Sequence, residues 1–200
     1  GMGYNADWNS TDQVPRRAIE AGRISRFGNI DPTDGGRTYK YSMVAEAQRS
    51  GANTSTRATV FGFRYGLNLV SNFTYFLEDP ENGDQRDQED RGTVSGGRLT
   101  YRRLGSVAGR HVESAMGVQL RHDAIGNTAL YRTVRARRIG TIREDAVSQT
   151  SAGVFGQTEV EWSHVLRTTV GLRADGYRFD VDSSNPLNSG RGDDGLLSPK

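Results

Sequence analysis

Between Val112 and His122 the chain alternates strictly. Val112, Ser114, Met116, Val118 and Leu120 share one parity, and Glu113, Ala115, Gln119 and Arg121 share the other. Neighbouring side chains of an extended strand point to opposite faces, so this register gives one face to oil and the other to water. Five further stretches repeat it. Tyr39, Tyr41, Met43, Ala45 and Ala47 oppose Lys40, Ser42, Glu46 and Gln48, and Leu67, Leu69, Phe73, Tyr75 and Leu77 share a side of a long run over 54–77. Leu99 and Tyr101 mark a strand over 93–103. Val154, Thr158, Val160 and Trp162 oppose Gln157, Glu159 and Glu161, and Leu166, Val170, Leu172 and Ala174 oppose Arg167, Arg173 and Asp175. Such a chain folds as antiparallel sheet with one oily and one wet side. A membrane barrel with a wet lumen has this pattern, and so has a soluble sheet that packs its oily side into a core.

Composition narrows the classes. Hydrophobic residues make up 34% of 200 and the mean hydropathy is −0.68, with no run approaching the ~18 apolar residues of a membrane helix. A barrel escapes that test because half of each strand faces water. The 25 glycines favour strands and turns. With 26 basic against 24 acidic residues, the net charge of +2 gives no footprint for nucleic acid. The absence of cysteine excludes disulfides and thiolate metal sites. The opening Gly1-Met2-Gly3-Tyr4 carries no basic-then-apolar leader, so any export signal is expected outside this sequence.

The connections alternate in length. Short turns are expected at 50–53, 104–110 and 163–165, and long ones at 78–91, 125–146 and 182–200. Short turns on one edge and long loops on the other are the habit of outer-membrane barrels. The organisation expected is therefore a loop over 1–36, about six strands over 37–181 and a closing loop over 182–200. The first loop holds one helical turn near Pro15–Ala21, because Pro after the cluster Asn9-Ser10-Thr11-Asp12 suits a helix start.

Particular words of the sequence point the same way. The stretch from Leu69 through Ser71-Asn72-Phe73-Thr74-Tyr75-Phe76-Leu77-Glu78-Asp79-Pro80 to Gln85 resembles the barrel of TonB-dependent outer-membrane receptors. So do Trp8 to Pro15, Asp31-Pro32-Thr33-Asp34-Gly35-Gly36, Gly171-Leu172-Arg173-Ala174-Asp175, and the closing Asn188-Ser189-Gly190 and Ser198-Pro199-Lys200, all in the family's order. The resemblance implies an all-β, antiparallel up-and-down meander, a middle section of a barrel of about 22 strands. The plug domain, the TonB-contacting box and the closing strand of the family have no counterpart in these words. It further implies a bacterial outer-membrane location, membrane lipid as a neighbour, the TonB system as partner through the absent plug, and a small-molecule metal chelate such as a siderophore–iron complex as ligand. No cofactor is implied.

The candidate ligand residues lie in the loops. The apolar-free stretch 78–90 offers Asp79, Glu81 and Asp84, and the basic stretch 132–143 offers Arg132, Arg135 and Arg137 to an anionic chelate or to lipopolysaccharide phosphates. Carboxylates are hard-cation ligands, but their spacing is not that of an EF-hand, and a solvated loop is the plainer reading. Lys40, Glu46, Glu113, Arg121, Glu159, Glu161, Arg173 and Asp175 are expected to face the lumen. Tyr39, Tyr41, Phe73, Tyr75, Tyr101, Trp162, Tyr177 and Phe179 are candidates for interfacial girdles. His111, His122 and His164 are too scattered for a metal site, Arg191-Gly192-Asp193 reads as coincidence in a Gly/Asp-rich tail, and no nucleophile elbow, phosphate loop or zinc-protease helix suggests an enzyme. The rival to a receptor is a soluble β-rich binding module whose oily parity packs a core of its own.

Overall fold

The computed structural model describes residues 1–10 and 14–200. It is a single antiparallel meander of eight strands in sequence order, with β1 and β8 at its two edges. The strands are β1 Met2–Asn9, β2 Gly35–Ser50, β3 Thr54–Ser71, β4 Arg86–Val107, β5 Arg110–Val134, β6 Arg137–Ser163, β7 Leu166–Ser183 and β8 Gly190–Pro199. A short helix, Arg16–Glu20, lies between β1 and β2, and Thr11 and Asp12 of its expected start lie outside the described residues.

Register carries the sequence parities of β2, β4, β5, β6 and β7 across the sheet, but reverses that of β3, where Leu67 and Leu69 lie opposite Thr38 and Gly36 on the face of Lys40. Met116 sits opposite Tyr101 and Gly156, and Gly156 opposite Leu172. Val118 sits opposite Leu99 and Val154, which in turn faces Ala174. All these residues share one face, and among the described residues nothing packs over it: Met116 is 58% exposed, Leu166 57% and Leu172 52%. The soluble reading required these side chains to meet inside a core, and the structure overturns it. Among the described residues the buried apolar ones are Val70, Val94, Ala115, Ala129 and Tyr131, too few to hold a globule together.

What unites the sheet instead is backbone pairing reinforced by aromatic rings laid over glycines. Among the described residues six aromatics lie directly opposite a glycine of a neighbouring strand with the ring over it: Trp8–Gly36, Tyr41–Gly3, Tyr39–Gly66, Phe61–Gly96, Tyr65–Gly92 and Phe155–Gly117. A Cβ at Gly96 would stand 2.5 Å from the Phe61 ring, and one at Gly117 2.7 Å from the Phe155 ring. Each ring thus covers backbone that the glycine leaves bare, restoring the cross-strand contact that a side chain would otherwise make.

The β2–β3, β4–β5 and β6–β7 connections, 51–53, 108–109 and 164–165, are short and lie at one end, and the two-residue β5–β6 tip, 135–136, lies opposite them. All long ones lie at the same end as that tip: 10–34, 72–85 and 184–189. Four sequence expectations are corrected. The segment 1–36 is not loop throughout, since β1 pairs with β2 from Met2–Ser42 to Asn9–Gly35. Likewise β8 occupies most of 182–200, and Arg191-Gly192-Asp193 lies within it. Residues 86–91 and nearly all of 125–146 are strand, so β5 and β6 run 25 and 27 residues to a two-residue tip. Polar composition was no bar, because strand pairing joins backbone groups and here the side chains meet polar partners, as Thr133 meets Gln85 and Arg138 meets Asp87. Conversely β3 stops at Ser71 rather than reaching Leu77. Asn72 Oδ1 accepts the Tyr75 amide at 2.8 Å, and Tyr75 turns to φ 60°, so the alternating Phe73, Tyr75 and Leu77 belong to a turn.

Candidate functional site

The eight residues expected on the wet side share one face. Its charges are matched at short range: Arg57–Glu46 at 3.5 Å, Arg102–Glu113 at 3.2 Å, Arg167–Glu159 at 3.1 Å and Arg173–Asp175 at 2.6 Å. All four pairs are partly exposed, so each contributes at most ~1 kcal/mol and the face stays soft to rearrangement. A cleft of about 640 Å³ opens on it near the short turns, lined by Glu46, Arg57, Arg98, Arg102 and Glu113 among others.

The same face carries aromatics that alternation did not reveal: Phe61, Phe63, Tyr65 and Phe155. The Lys40 ammonium lies 4.6 Å from the Phe63 ring centre, and the Arg98 guanidinium 5.2 Å from that of Phe155. Tyr177 and Phe179 stack here too, at 6.3 Å, and are not on the apolar side with Tyr39, Tyr41, Tyr101 and Trp162. The available signal was the run of strand glycines, Gly92, Gly96 and Gly117, each of which marks a ring on its neighbour.

At the long-connection end three segments converge on Gln85, which is 2% exposed. Its Nε2 group donates toward Asp34 Oδ1 at 2.7 Å, Thr33 Oγ1 at 2.9 Å and Asp31 Oδ2 at 3.1 Å, all in the β1–β2 connection. Its Oε1 accepts from the Ala136 amide at 2.7 Å and from the Thr133 hydroxyl at 3.0 Å, both at the β5–β6 tip. That tip is strained: Arg135 and Ala136 take φ 50° and 60°, where non-glycine residues pay ~1–2 kcal/mol each. Arg138 anchors the same hairpin from β6, 2.8 Å from Asp87 and 2.5 Å from Glu89, with its guanidinium 3.9 Å above the Tyr131 ring. No sequence rule marks Gln85, because its partners lie about fifty residues away in both directions.

The six candidate ligand residues divide. Asp84 turns inward: its carboxylate accepts the amides of Leu77 at 2.8 Å, Asp79 at 2.8 Å and Glu78 at 3.1 Å. Burial alone would raise its pKa, but the Thr74 side chain and these amides prevail and lower it to about 2. Asp79 caps the amides of Glu81 and Asn82 and pairs with Arg132 at 2.7 Å, tying the acidic loop to β5. The hydrogen bonds from Asn82 hold its carboxyl below the usual range. Glu81, Arg135 and Arg137 project into solvent. Among the described residues no three metal-ligating side chains gather.

A one-layer antiparallel meander with an exposed apolar face, a charged face opposite and every long connection at one end is a section of barrel wall. The chain belongs to the TonB-dependent receptor-like β-barrel family, whose model matches residues 2–200. That is a family of outer-membrane transport receptors, not of enzymes. No curated protein matches the chain in sequence.

Proposed function

We propose that this chain forms wall of an outer-membrane receptor for a scarce nutrient, with a siderophore–iron complex or similar anionic chelate as ligand. The observation that carries it is the exposed apolar face, which fits lipid and no protein partner in the fold. That face is stepped: on β7 the apolar parity ends at Gly176 and gives way to Arg178, while on β2 it continues past the same level through Met43, Tyr41 and Tyr39. Strands tilted in a bilayer step in this way. The charged face then lines the lumen against a plug elsewhere in the protein, through which the TonB system acts.

A membrane-crossing strand needs ~9–11 residues, so β5 and β6 rise well above the bilayer and present their tip outside. The ligand surface is the rim formed by Glu81, Arg135 and Arg137 with the Asp79–Arg132 pair beneath. Asp84 shapes that surface without touching ligand. The net positive tip selects anionic chelates. Binding of ferric hydroxamate, ferric catecholate and cobalamin to the detergent-folded chain, followed by tryptophan fluorescence, tests this. An anionic chelate should bind, and Arg135→Ala with Arg137→Ala should weaken it about tenfold. Equal binding by wild type and the double variant refutes the assigned surface.

A further inference from the structure

We propose that the apolar face, at its short-turn end, is a docking surface for anionic glycerophospholipid headgroups, held by Arg49, Arg103 and Arg110. The inference rests on the membrane reading above and adds a partner to it. Arginines near the short turns divide by face. On the charged face Arg57, Arg102 and Arg167 each meet a glutamate within 3.5 Å. On the apolar face Arg49, Arg103 and Arg110 are exposed and meet no carboxylate among the described residues. Among the described residues Arg110 donates to the Trp162 carbonyl alone.

The acids divide in the opposite sense. Glu46, Glu113, Glu159 and Glu161 all lie on the charged face, and from the level of Leu99 down to the turns the apolar face carries none. The result is a strip of uncompensated positive charge immediately below an apolar band. Tyr101 and Trp162 flank it, with the Trp162 indole donating to Thr168 at 3.0 Å. Amphipathic rings settle at the headgroup boundary, and long basic side chains reach from the apolar margin to phosphate. The three arginines stand on β2, β4 and β5, with β3 bare between the first two, so they span ~14 Å across the strands at ~4.8 Å each, and Arg110 lies a further ~20 Å along β5 from Met116, the residue level with Arg49. That spacing suits separate headgroups rather than one chelated anion.

Trp162 is the natural reporter, being next to Arg110. The full chain bearing Trp8→Phe, so that Trp162 alone fluoresces, is folded into phosphatidylcholine vesicles containing brominated phosphatidylglycerol or brominated phosphatidylcholine. Quenching gives the preference of lipid beside Trp162. Each arginine near an anionic surface is worth about fivefold, so wild type should favour phosphatidylglycerol by at least that factor. Arg103→Gln with Arg110→Gln should bring the ratio near one, and Arg102→Gln with Arg167→Gln should leave it unchanged. A ratio near one in wild type, or an equal loss in both double variants, overturns the proposal. Absence of quenching by brominated phosphatidylcholine itself would instead overturn the membrane reading.

Discussion

Replacing Gln85 by Ala should free two distant segments at once. The variant removes the acceptor of the buried Thr133 hydroxyl and of the Ala136 amide, and the donor shared by Asp31, Thr33 and Asp34. An unmet buried hydroxyl costs ~1–3 kcal/mol, and loss of a half-buried amide bond ~1 kcal/mol. At the tip, two left-handed non-glycine residues then lose the contact that offsets their strain. A fall of ~3 kcal/mol in local opening free energy corresponds to ~100-fold faster exchange. Hydrogen exchange with mass spectrometry on the detergent-folded chain reads this directly. Peptides covering 31–36 and 133–138 should both lose protection, while those from 150–160 hold. Change confined to one of the two segments would refute the idea of a shared clamp, and uniform change across the sheet would show a global loss of stability instead. Gln85→Glu separates the two halves. Its carboxylate still accepts from Ala136 and Thr133 but repels Asp31 and Asp34, the titratable groups facing it, so only 31–36 should loosen near neutral pH. Acid that protonates the introduced carboxyl restores a donor and should restore that protection.

Three further outcomes follow from the geometry. Gly117→Ala places a Cβ 2.6 Å from the Leu99 carbonyl oxygen as well as under the Phe155 ring. The ring can turn but the backbone cannot, so urea unfolding in detergent should show a loss of ~1–3 kcal/mol, against no loss for Gly126→Ala, where nothing lies within 4 Å. Leu172→Arg, on the apolar face, should cost ~2–4 kcal/mol in bilayer refolding, whereas Gln157→Arg on the charged face should change little; equal effects would deny that lipid bathes Leu172. Asp84 supplies the pH prediction. Its folded pKa of about 2 lies below the ordinary carboxyl value of ~3.9, so its stabilisation is complete above the latter and is lost as pH falls through the former. Pepsin should therefore cleave Phe76–Leu77 slowly at pH 4 and quickly near pH 2, and Asp84→Asn should be cut at pH 4 as well.

Legibility in the sequence followed the surroundings of each face. Where one side meets oil, as over 112–122 or 166–176, a slip of one residue would turn every apolar side chain over, so parity is enforced and readable. Above the apolar band the strands pack through polar contacts, so no apolar parity marks them: Tyr131 lies under the Arg138 guanidinium and Thr133 bonds Gln85. Residues 128–134 and 137–146 pair as strand through their backbones while their side chains read as loop. The turn after Ser71 misled for the converse reason: Phe73, Tyr75 and Leu77 alternate, but Asn72 and Asp84 capture the backbone amides and decide the local shape. The exposure of Arg135 and Arg137 was legible, and among the described residues no side chain engages them. Gln85 and the inward role of Asp84 were not legible, since a polar residue's partners are set by tertiary register and leave no periodic trace. The glycine–aromatic pairs fall between these cases. A strand glycine such as Gly96 or Gly117 weakens its own strand, so its occurrence amid good strand formers already requires a neighbour that repays the loss. In a sheet with almost no buried core, that neighbour is a ring one strand away.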